Sequence, residues 1–161
     1  MCKQTKVLYI DDQAFEINGI KEELEEAGLD VTHFTWPLDA ECLKEDQVIY
    51  ALPALDDYEV LIIDIIMGSG DLDYAETRHG YLTGVVLHRE RIAPNFGDKK
   101  VVFVSALPDG GERATAKKYA TACGIPYIQK SDTASEEIIE AIKALIGETG
   151  SGGAKERGEG R

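Results

Sequence analysis

Five side chains capable of chemistry stand at or just beyond the ends of short apolar runs in the sequence. Three are carboxylates, one is a hydroxyl and one is an ammonium group: Asp11, Asp12, Asp64, Ser105 and Lys130. Carboxylates that lie together repel one another, and a hard divalent cation such as Mg²⁺ supplies the counter-charge. A carboxylate beside that ion can attack a phosphoryl group, whose oxygens an ammonium and a hydroxyl can stabilise. The set is chemically complete for forming an aspartyl phosphate, provided that the fold brings its members together.

The apolar runs before these residues are typical of buried strands. Residues 7–10, 60–63 and 101–104 are continuously apolar, as expected of strands that helices cover on both faces. Two further strands are predicted over residues 31–36 and 125–128.

Helical segments separate the predicted strands. Apolar side chains recur at helical spacing in most of them, and Pro37 suits the first turn of the second. Residues 65–80 are rich in glycine and polar side chains and are predicted to form a long loop. The helices are predicted over residues 14–27, 37–52, 81–92 and 110–122, and from Asp132 or Thr133 to about residue 146.

Five repeats of strand then helix predict a doubly wound, flavodoxin-like α/β domain with a five-stranded parallel sheet. In an open sheet of this kind, ligands bind beyond the carboxyl ends of the strands. All five chemically capable residues stand at such ends, so we expect them to meet at one edge of the sheet.

The length and charge of the chain limit its function. Its 161 residues suit one domain, predicted over residues 1–146, followed by a flexible glycine-rich tail over residues 147–161. The net charge of -13 disfavours direct binding to nucleic acid or to an anionic membrane. The acidity lies in residues 11–80, where nineteen acidic residues face three basic ones. Three distant cysteines without metal spacing, and no apolar leader, favour a reduced, cytoplasmic setting.

Four motifs stand in order at the predicted strand ends. They are Val7-Leu8-Tyr9-Ile10-Asp11-Asp12, then Asp64-Ile65-Ile66-Met67, then Ser105-Ala106, and finally Tyr127 three residues before Lys130. With these motifs the sequence resembles, over about residues 6–146, the receiver domain of bacterial response regulators in its single-domain, chemotaxis (CheY-like) form. Each motif alone is weak, whereas their order along the chain indicates the family.

The resemblance implies a phosphorylation site that uses Mg²⁺. Asp64 would accept a phosphoryl group from a histidine kinase or a histidine phosphotransfer protein. Asp11 and Asp12 would bind Mg²⁺ directly or through water, and Asp64 and the backbone carbonyl of Ile66 would complete the protein ligands.

The resemblance also implies a switch and an output surface. Lys130 would pair with Asp64 and then with the phosphoryl group, and Ser105 would bind a phosphoryl oxygen and shift. Tyr127 would turn inward when Ser105 moves. A downstream protein would bind the face formed by the fourth and fifth strands and the helices that follow them. The chain would be a monomer or a weak homodimer.

The sequence departs from the family pattern in three places. Gly68 follows Met67 where proline is usual, and Ser131 follows Lys130 where proline is usual. The glycine that normally follows the phospho-acceptor by about eight residues has its nearest match at Gly80, or at Gly84. An insertion over residues 69–79 accounts for this distance and could gate access to the site or recognise a partner.

Two other functions are alternatives to a phosphorylated receiver. A receiver-like interaction module that no longer responds to phosphorylation would use the long loop after the third strand as its contact surface. A small aspartate-dependent phosphatase would need an Asp-x-Asp motif after the first strand, whereas residues 11–13 read Asp-Asp-Gln. Among the remaining residues, the three histidines are expected at the surface and Trp36 is expected to serve in packing.

Overall fold

The computed structural model, which describes residues 4–37, 41–44 and 47–150, is built on a five-stranded parallel sheet. The sheet has the strand order β2-β1-β5-β6-β7, and each neighbouring pair is parallel. The predicted doubly wound parallel α/β fold is therefore confirmed. The strands are β1 (Lys6–Asp11), β2 (Asp30–Thr35), β3 (Glu41–Lys44), β4 (Gln47–Tyr50), β5 (Val60–Asp64), β6 (Lys100–Ser105) and β7 (Tyr127–Gln129).

Helices cover both faces of this sheet, so the central strands contribute to two cores. Leu8 and Ile63 pack with residues of α2 and α4, while Tyr9 and Ile62 pack with residues of α1 and α5. All four side chains are fully buried, which explains why these strands are continuously apolar. The helices are α1 (Ala14–Glu26), α2 (Thr83–Leu87), α3 (Ala93–Phe96), α4 (Gly111–Cys123) and α5 (Ala134–Gly150).

The prediction of a helix over residues 37–52 is wrong. The structure has an antiparallel pair there, with Glu41 opposite Tyr50 and Leu43 opposite Val48. The second strand of the pair contains Val48, Ile49 and Tyr50, residue types that favour extended backbone. A proline that suits a helix start is equally compatible with a turn, so Pro37 did not decide between the two.

The helix predicted over residues 81–92 is divided. α2 leads into a π-helical turn over His88–Ile92 and then into α3. Pro94 of α3 has no N–H to donate four residues back, which favours a wider turn before it. His88, expected at the surface, is buried in this turn, with Nδ1 2.8 Å from the hydroxyl of Tyr119. Burial lowers the pKa of His88.

The last helix extends beyond its predicted end. α5 continues to Gly150, so residues 147–150, predicted as the start of the flexible tail, are helical. Residues 151–161 lie outside the described residues, so that part of the tail stays a prediction. Among the described residues, no helix is both long and apolar enough to cross a membrane.

Candidate functional site

Three carboxylates meet where β1 and β5 end. Ile10 lies opposite Ile63 in the parallel pair, so the residues that follow them, Asp11 and Asp64, reach the same edge of the sheet. Asp11 is 0% exposed and Asp64 is 3% exposed, and Asp12 beside them is half-buried. One carboxylate oxygen of each aspartate lies within 4.8 Å of the other two. The structure thus brings together the three carboxylates that the sequence predicts at this edge.

Lys130 reaches these carboxylates from the end of β7. Its ammonium lies 3.2 Å from Asp64 Oδ2 and 3.6 Å from Asp11 Oδ2. Its backbone N–H donates to the Ser105 carbonyl at 2.8 Å, which fixes the main chain beside β6. Ser131 stands where the family pattern has proline, and its hydroxyl and carbonyl accept hydrogen bonds from the turn that leads into α5. The lysine is therefore oriented without that proline.

The charges of the site are incompletely balanced. Burial and the negative charge of Asp11 raise the pKa of Asp64 from its ordinary value of 3.8 to about 8, although the Lys130 ammonium opposes this shift. Burial, together with a hydrogen bond to Asp11 and the charge of Asp11, raises the pKa of Asp12 to about 6. One ammonium does not neutralise three neighbouring carboxylates.

The donor set fits a hard divalent cation. Asp11 Oδ2 and Asp64 Oδ1 are buried and have no hydrogen-bond partner in the described part of the chain. Buried carboxylate oxygens without a donor are costly, and oxygen ligands of this kind are those that Mg²⁺ takes in proteins. The cluster could hold a metal ion. Ile66 lies half-buried in the turn after β5, and the role of its carbonyl as a ligand stays a prediction.

Without a bound cation, the stability of the fold should fall as the pH rises. Asp64 keeps its proton up to about pH 8 in the folded chain but loses it near pH 4 when unfolded. The stabilisation from this extra proton is complete below about pH 4 and is lost as the pH rises through about 8. We expect the melting temperature in EDTA to drop by on the order of 10 °C between about pH 5 and about pH 8.5, measured by circular dichroism.

The control for this pH dependence is Asp64→Asn. The amide takes up and releases no proton, so the variant should lack the pH dependence that comes from Asp64 and show a flatter profile. A variant whose profile is as steep as that of the wild-type protein would contradict the assignment.

Ser105 and Tyr127 lie on the neighbouring strands β6 and β7. Ser105 ends β6 and is fully buried, and its Oγ accepts a hydrogen bond from the Leu107 N–H at 2.9 Å. A hydroxyl that accepts one hydrogen bond can still donate its proton to an anion. Tyr127 begins β7 and is half-buried, with the ammonium of Lys117 on α4 5.7 Å from its ring. The structure thus places Tyr127 beside α4 and Ser105 against the loop that leads into it.

The insertion over residues 69–79 is fixed to the body of the domain. The indole N–H of Trp36, which is fully buried, donates to the Gly68 carbonyl at 2.8 Å. Asp71 pairs with Arg91 of the π-helical turn at 2.7 Å. The sequence predicts only a packing role for Trp36. It does not predict this hydrogen bond, because no spacing rule links an indole to a carbonyl 32 residues away.

Gly84 is the glycine that packs against the end of β5. A Cβ at Gly84 would lie 2.4 Å from the Asp64 carbonyl oxygen, so a side chain there would displace the aspartate. Gly80 is also close, since its Cβ would lie 2.8 Å from the Met67 carbonyl oxygen and its φ is +96°. The sequence predicts either of these two glycines as the match to the one that follows the phospho-acceptor in the family pattern. The structure places Gly84 against Asp64 itself.

Gly68, which replaces the usual proline, supports Asp12. The Gly68 N–H hydrogen bonds to the Asp12 carboxylate and lowers its pKa against the effect of burial. Proline has no N–H, so Gly68→Pro should weaken Mg²⁺ binding about three- to tenfold by titration calorimetry. Gly68→Ala is the control, because it keeps the N–H and its Cβ would meet Pro37 Cδ at 3.6 Å, an ordinary contact. Equal weakening in both variants would contradict the role of the N–H.

Comparison with known proteins identifies the fold. No protein-family model and no curated protein matches the chain. A receiver domain protein from Clostridium thermocellum is similar with a TM-score of 0.65 and 19% identity, over 91% of this chain and 97% of that one. The Francisella response regulator 1452 receiver domain is similar with a TM-score of 0.59 and 25% identity, over 91% of this chain and 99% of that one. A CheY-like receiver domain protein from Methanospirillum hungatei is similar with a TM-score of 0.56 and 16% identity, over 94% of this chain and 100% of that one.

Some of the similar structures are longer than this chain. The chain spans 54% of the response regulator DrrB from Thermotoga maritima, with a TM-score of 0.58 and 15% identity. The chain has the fold of response regulator receiver domains.

Proposed function

We propose that the chain is a phosphorelay receiver that accepts a phosphoryl group on Asp64 and changes its binding to a partner protein. The observation that carries the proposal is the buried Asp64 carboxylate, which lies among Asp11, Asp12 and Lys130 at the edge of a receiver-type sheet. The donor would be a phosphohistidine of a histidine kinase or of a histidine phosphotransfer protein, and the proposed setting is the cytoplasm.

The proposed reaction transfers one phosphoryl group between two side chains. An Asp64 carboxylate oxygen attacks phosphorus while the bond from phosphorus to the imidazole nitrogen of the donor breaks, and the electron pair returns to that nitrogen. Lys130, 3.2 Å from Asp64 Oδ2, pairs with the transferred oxygens, and the Ser105 hydroxyl donates to one of them. Asp11, Asp12 and Asp64 would hold Mg²⁺, which when bound would supply positive charge to balance the phosphoryl group.

The proposed output follows from the position of Ser105. When its hydroxyl moves towards the phosphoryl group, the half-buried Tyr127 on the next strand changes its packing beside α4. The surface formed by β6, α4, β7 and α5 then presents a different shape to a downstream protein.

An interaction module that does not respond to phosphorylation is the second candidate. The insertion and the residues just after it favour this candidate. Tyr74 is 63% exposed and stacks on His79 with the ring centroids 4.6 Å apart, and Tyr81, just after the insertion, is 51% exposed. The buried carboxylates favour the first candidate, since a fold without a cation or a phosphoryl group has no need for three neighbouring aspartates that repel one another.

The two candidates differ in their response to small phosphodonors. We expect the purified protein to gain the mass of one phosphoryl group when incubated with Mg²⁺ and acetyl phosphate or phosphoramidate. Beryllofluoride, which imitates the phosphoryl group, should shift the backbone amide NMR signals of β6 and α4. No mass gain with either donor and no beryllofluoride response would favour the second candidate.

The phosphorylated protein should lose its phosphoryl group slowly. In the family that the sequence resembles, the residues two positions beyond the phospho-acceptor and two beyond the serine influence attack by water. Here they are Ile66 and Leu107, and Leu107 is 1% exposed. Neither side chain can orient a water molecule by hydrogen bonding, so the half-life in Mg²⁺ should be minutes or longer by intact mass. A half-life of seconds would contradict this prediction.

The control for slow dephosphorylation is Ile66→Gln. An amide at this half-buried position can hydrogen bond to water, so dephosphorylation should be several-fold faster than in the wild-type protein. Ile66→Val, which stays apolar, should keep the slow rate.

A further inference from the structure

Gln129, the last residue of β7, connects the loop after β6 with Tyr127. Its side-chain amide donates to the Leu107 carbonyl at 3.1 Å, and its Oε1 accepts a hydrogen bond from the Tyr127 hydroxyl at 3.5 Å. Gln129 also lies opposite Ser105 in the parallel pair of β6 and β7, and Lys130 follows it. One side chain thus contacts both parts of the molecule that the proposed output requires to move.

The loop that Gln129 contacts also positions Ser105. The Leu107 N–H donates to Ser105 Oγ at 2.9 Å, and the carbonyl of the same residue accepts the amide of Gln129. The Leu107 side chain is buried, so its peptide groups cannot move without repacking. A shift of Ser105 that carries Leu107 with it must therefore stretch or break the bond to Gln129.

We infer that Gln129 is a positioning residue that holds the loop between β6 and α4 in its unphosphorylated arrangement. The inference rests on the proposed function, because it concerns the shift of Ser105 towards a phosphoryl group on Asp64. A hydrogen bond made in only one of two states shifts their equilibrium by its own net strength. The bond to Leu107 therefore opposes phosphorylation and the change that follows it.

The two contacts of Gln129 differ in strength. The bond to the Leu107 carbonyl has an ordinary length, whereas 3.5 Å is long for a bond between a hydroxyl and an amide oxygen. We assign the positioning effect to the bond with Leu107. The Tyr127 hydroxyl is then free to leave Gln129 at little cost when the ring moves.

Two variants separate these contacts. Gln129→Met has a similar length and removes both hydrogen bonds. Gln129→Glu keeps an acceptor for Tyr127, but its ionised carboxylate cannot donate to Leu107. With Mg²⁺ present, both variants should be phosphorylated by acetyl phosphate about two- to tenfold faster than the wild-type protein, and should bind beryllofluoride more tightly by a similar factor.

A matched control lies at the opposite edge of the sheet. The side-chain amide of Gln4 also donates to a backbone carbonyl, that of Gly28, at 3.3 Å. Gln4→Met therefore makes the same chemical change far from the site, and it should leave both the phosphorylation rate and the beryllofluoride affinity unchanged.

A second readout reports the loop without phosphorylation. In the unphosphorylated protein, the Leu107 amide should exchange with solvent faster in Gln129→Met and Gln129→Glu than in the wild-type protein, because the bond that restrains the loop is gone. A variant that merely loosened the whole fold would instead accelerate exchange in every strand and slow phosphorylation.

The outcomes decide between the inference and the function on which it rests. If the wild-type protein is phosphorylated and both Gln129 variants match it or react more slowly, the inference is overturned and the proposed function stands. If Gln129→Met is faster but Gln129→Glu is not, the contact with Tyr127 governs the loop and the assignment to Leu107 is wrong. If the wild-type protein takes no phosphoryl group from any small donor, the proposed function fails and the inference fails with it.

Discussion

An Asp64→Asn variant should gain no phosphoryl mass from acetyl phosphate under conditions in which the wild-type protein gains one group. An amide cannot serve as the nucleophile that a carboxylate provides, so the loss should be at least about 100-fold and reach the detection limit of intact mass measurement. The same variant should unfold at a higher temperature than the wild-type protein in EDTA. Asparagine removes one of the buried carboxylates that raise each other's pKa.

The stability measurement makes the negative result informative. A variant that is more stable than the wild-type protein and still unphosphorylated is folded, so the loss is chemical. Asp132→Asn is the matched control, because Asp132 is exposed in the turn after Lys130 and its removal should leave phosphorylation unchanged. A phosphoryl group that persists in Asp64→Asn would place the acceptor elsewhere and contradict the proposed function.

Replacing Asp12 with asparagine should weaken the binding of Mg²⁺ at the site. Burial and its contact with Asp11 raise the pKa of Asp12 to about 6, and a cation that takes the place of the proton relieves this repulsion. Mg²⁺ should therefore raise the melting temperature of the wild-type protein and be required for phosphorylation. In Asp12→Asn, the Mg²⁺ affinity should fall at least about tenfold, and phosphorylation by acetyl phosphate about 100-fold.

The control for Asp12 is a carboxylate at the other end of the strands. Asp98 is exposed just before β6, so Asp98→Asn makes the same change in net charge away from the cluster. Asp98→Asn should show the same rise in melting temperature with Mg²⁺ as the wild-type protein, and the same rate of phosphorylation by acetyl phosphate. An Asp12→Asn protein that still responds to Mg²⁺ like the wild-type protein would remove Asp12 from the site.

The sequence was sufficient to predict the edge of the sheet where the carboxylates meet. Asp11 and Asp64 each end a continuously apolar run, and a strand buried on both faces has no other kind of sequence. Parallel strands place equivalent ends at the same edge, so the two acids had to converge. Lys130 and Ser105 were found in the same way, from their positions at strand ends.

Other features depended on contacts that no local pattern contains. Residues 41–50 carry a mixture of apolar and polar side chains that suits a helix or a pair of strands, so the sequence pattern alone does not separate the two. The choice between Gly80 and Gly84 depended on the path of the insertion, which sets the backbone that passes over Asp64. The role that we infer for Gln129 has no signal in the sequence, because a glutamine in a strand has no preferred partner.

The bond between Trp36 and the Gly68 carbonyl gives this chain a built-in optical probe. Trp36 is the single tryptophan of the sequence, so all tryptophan emission comes from one buried indole. Its hydrogen-bond acceptor is the residue whose N–H contacts Asp12, and the guanidinium of Arg91 lies 5.8 Å from its ring centroid. We therefore expect the wavelength and intensity of that emission to change with events at the carboxylates without any attached dye, in the native chain and in every variant that retains the indole.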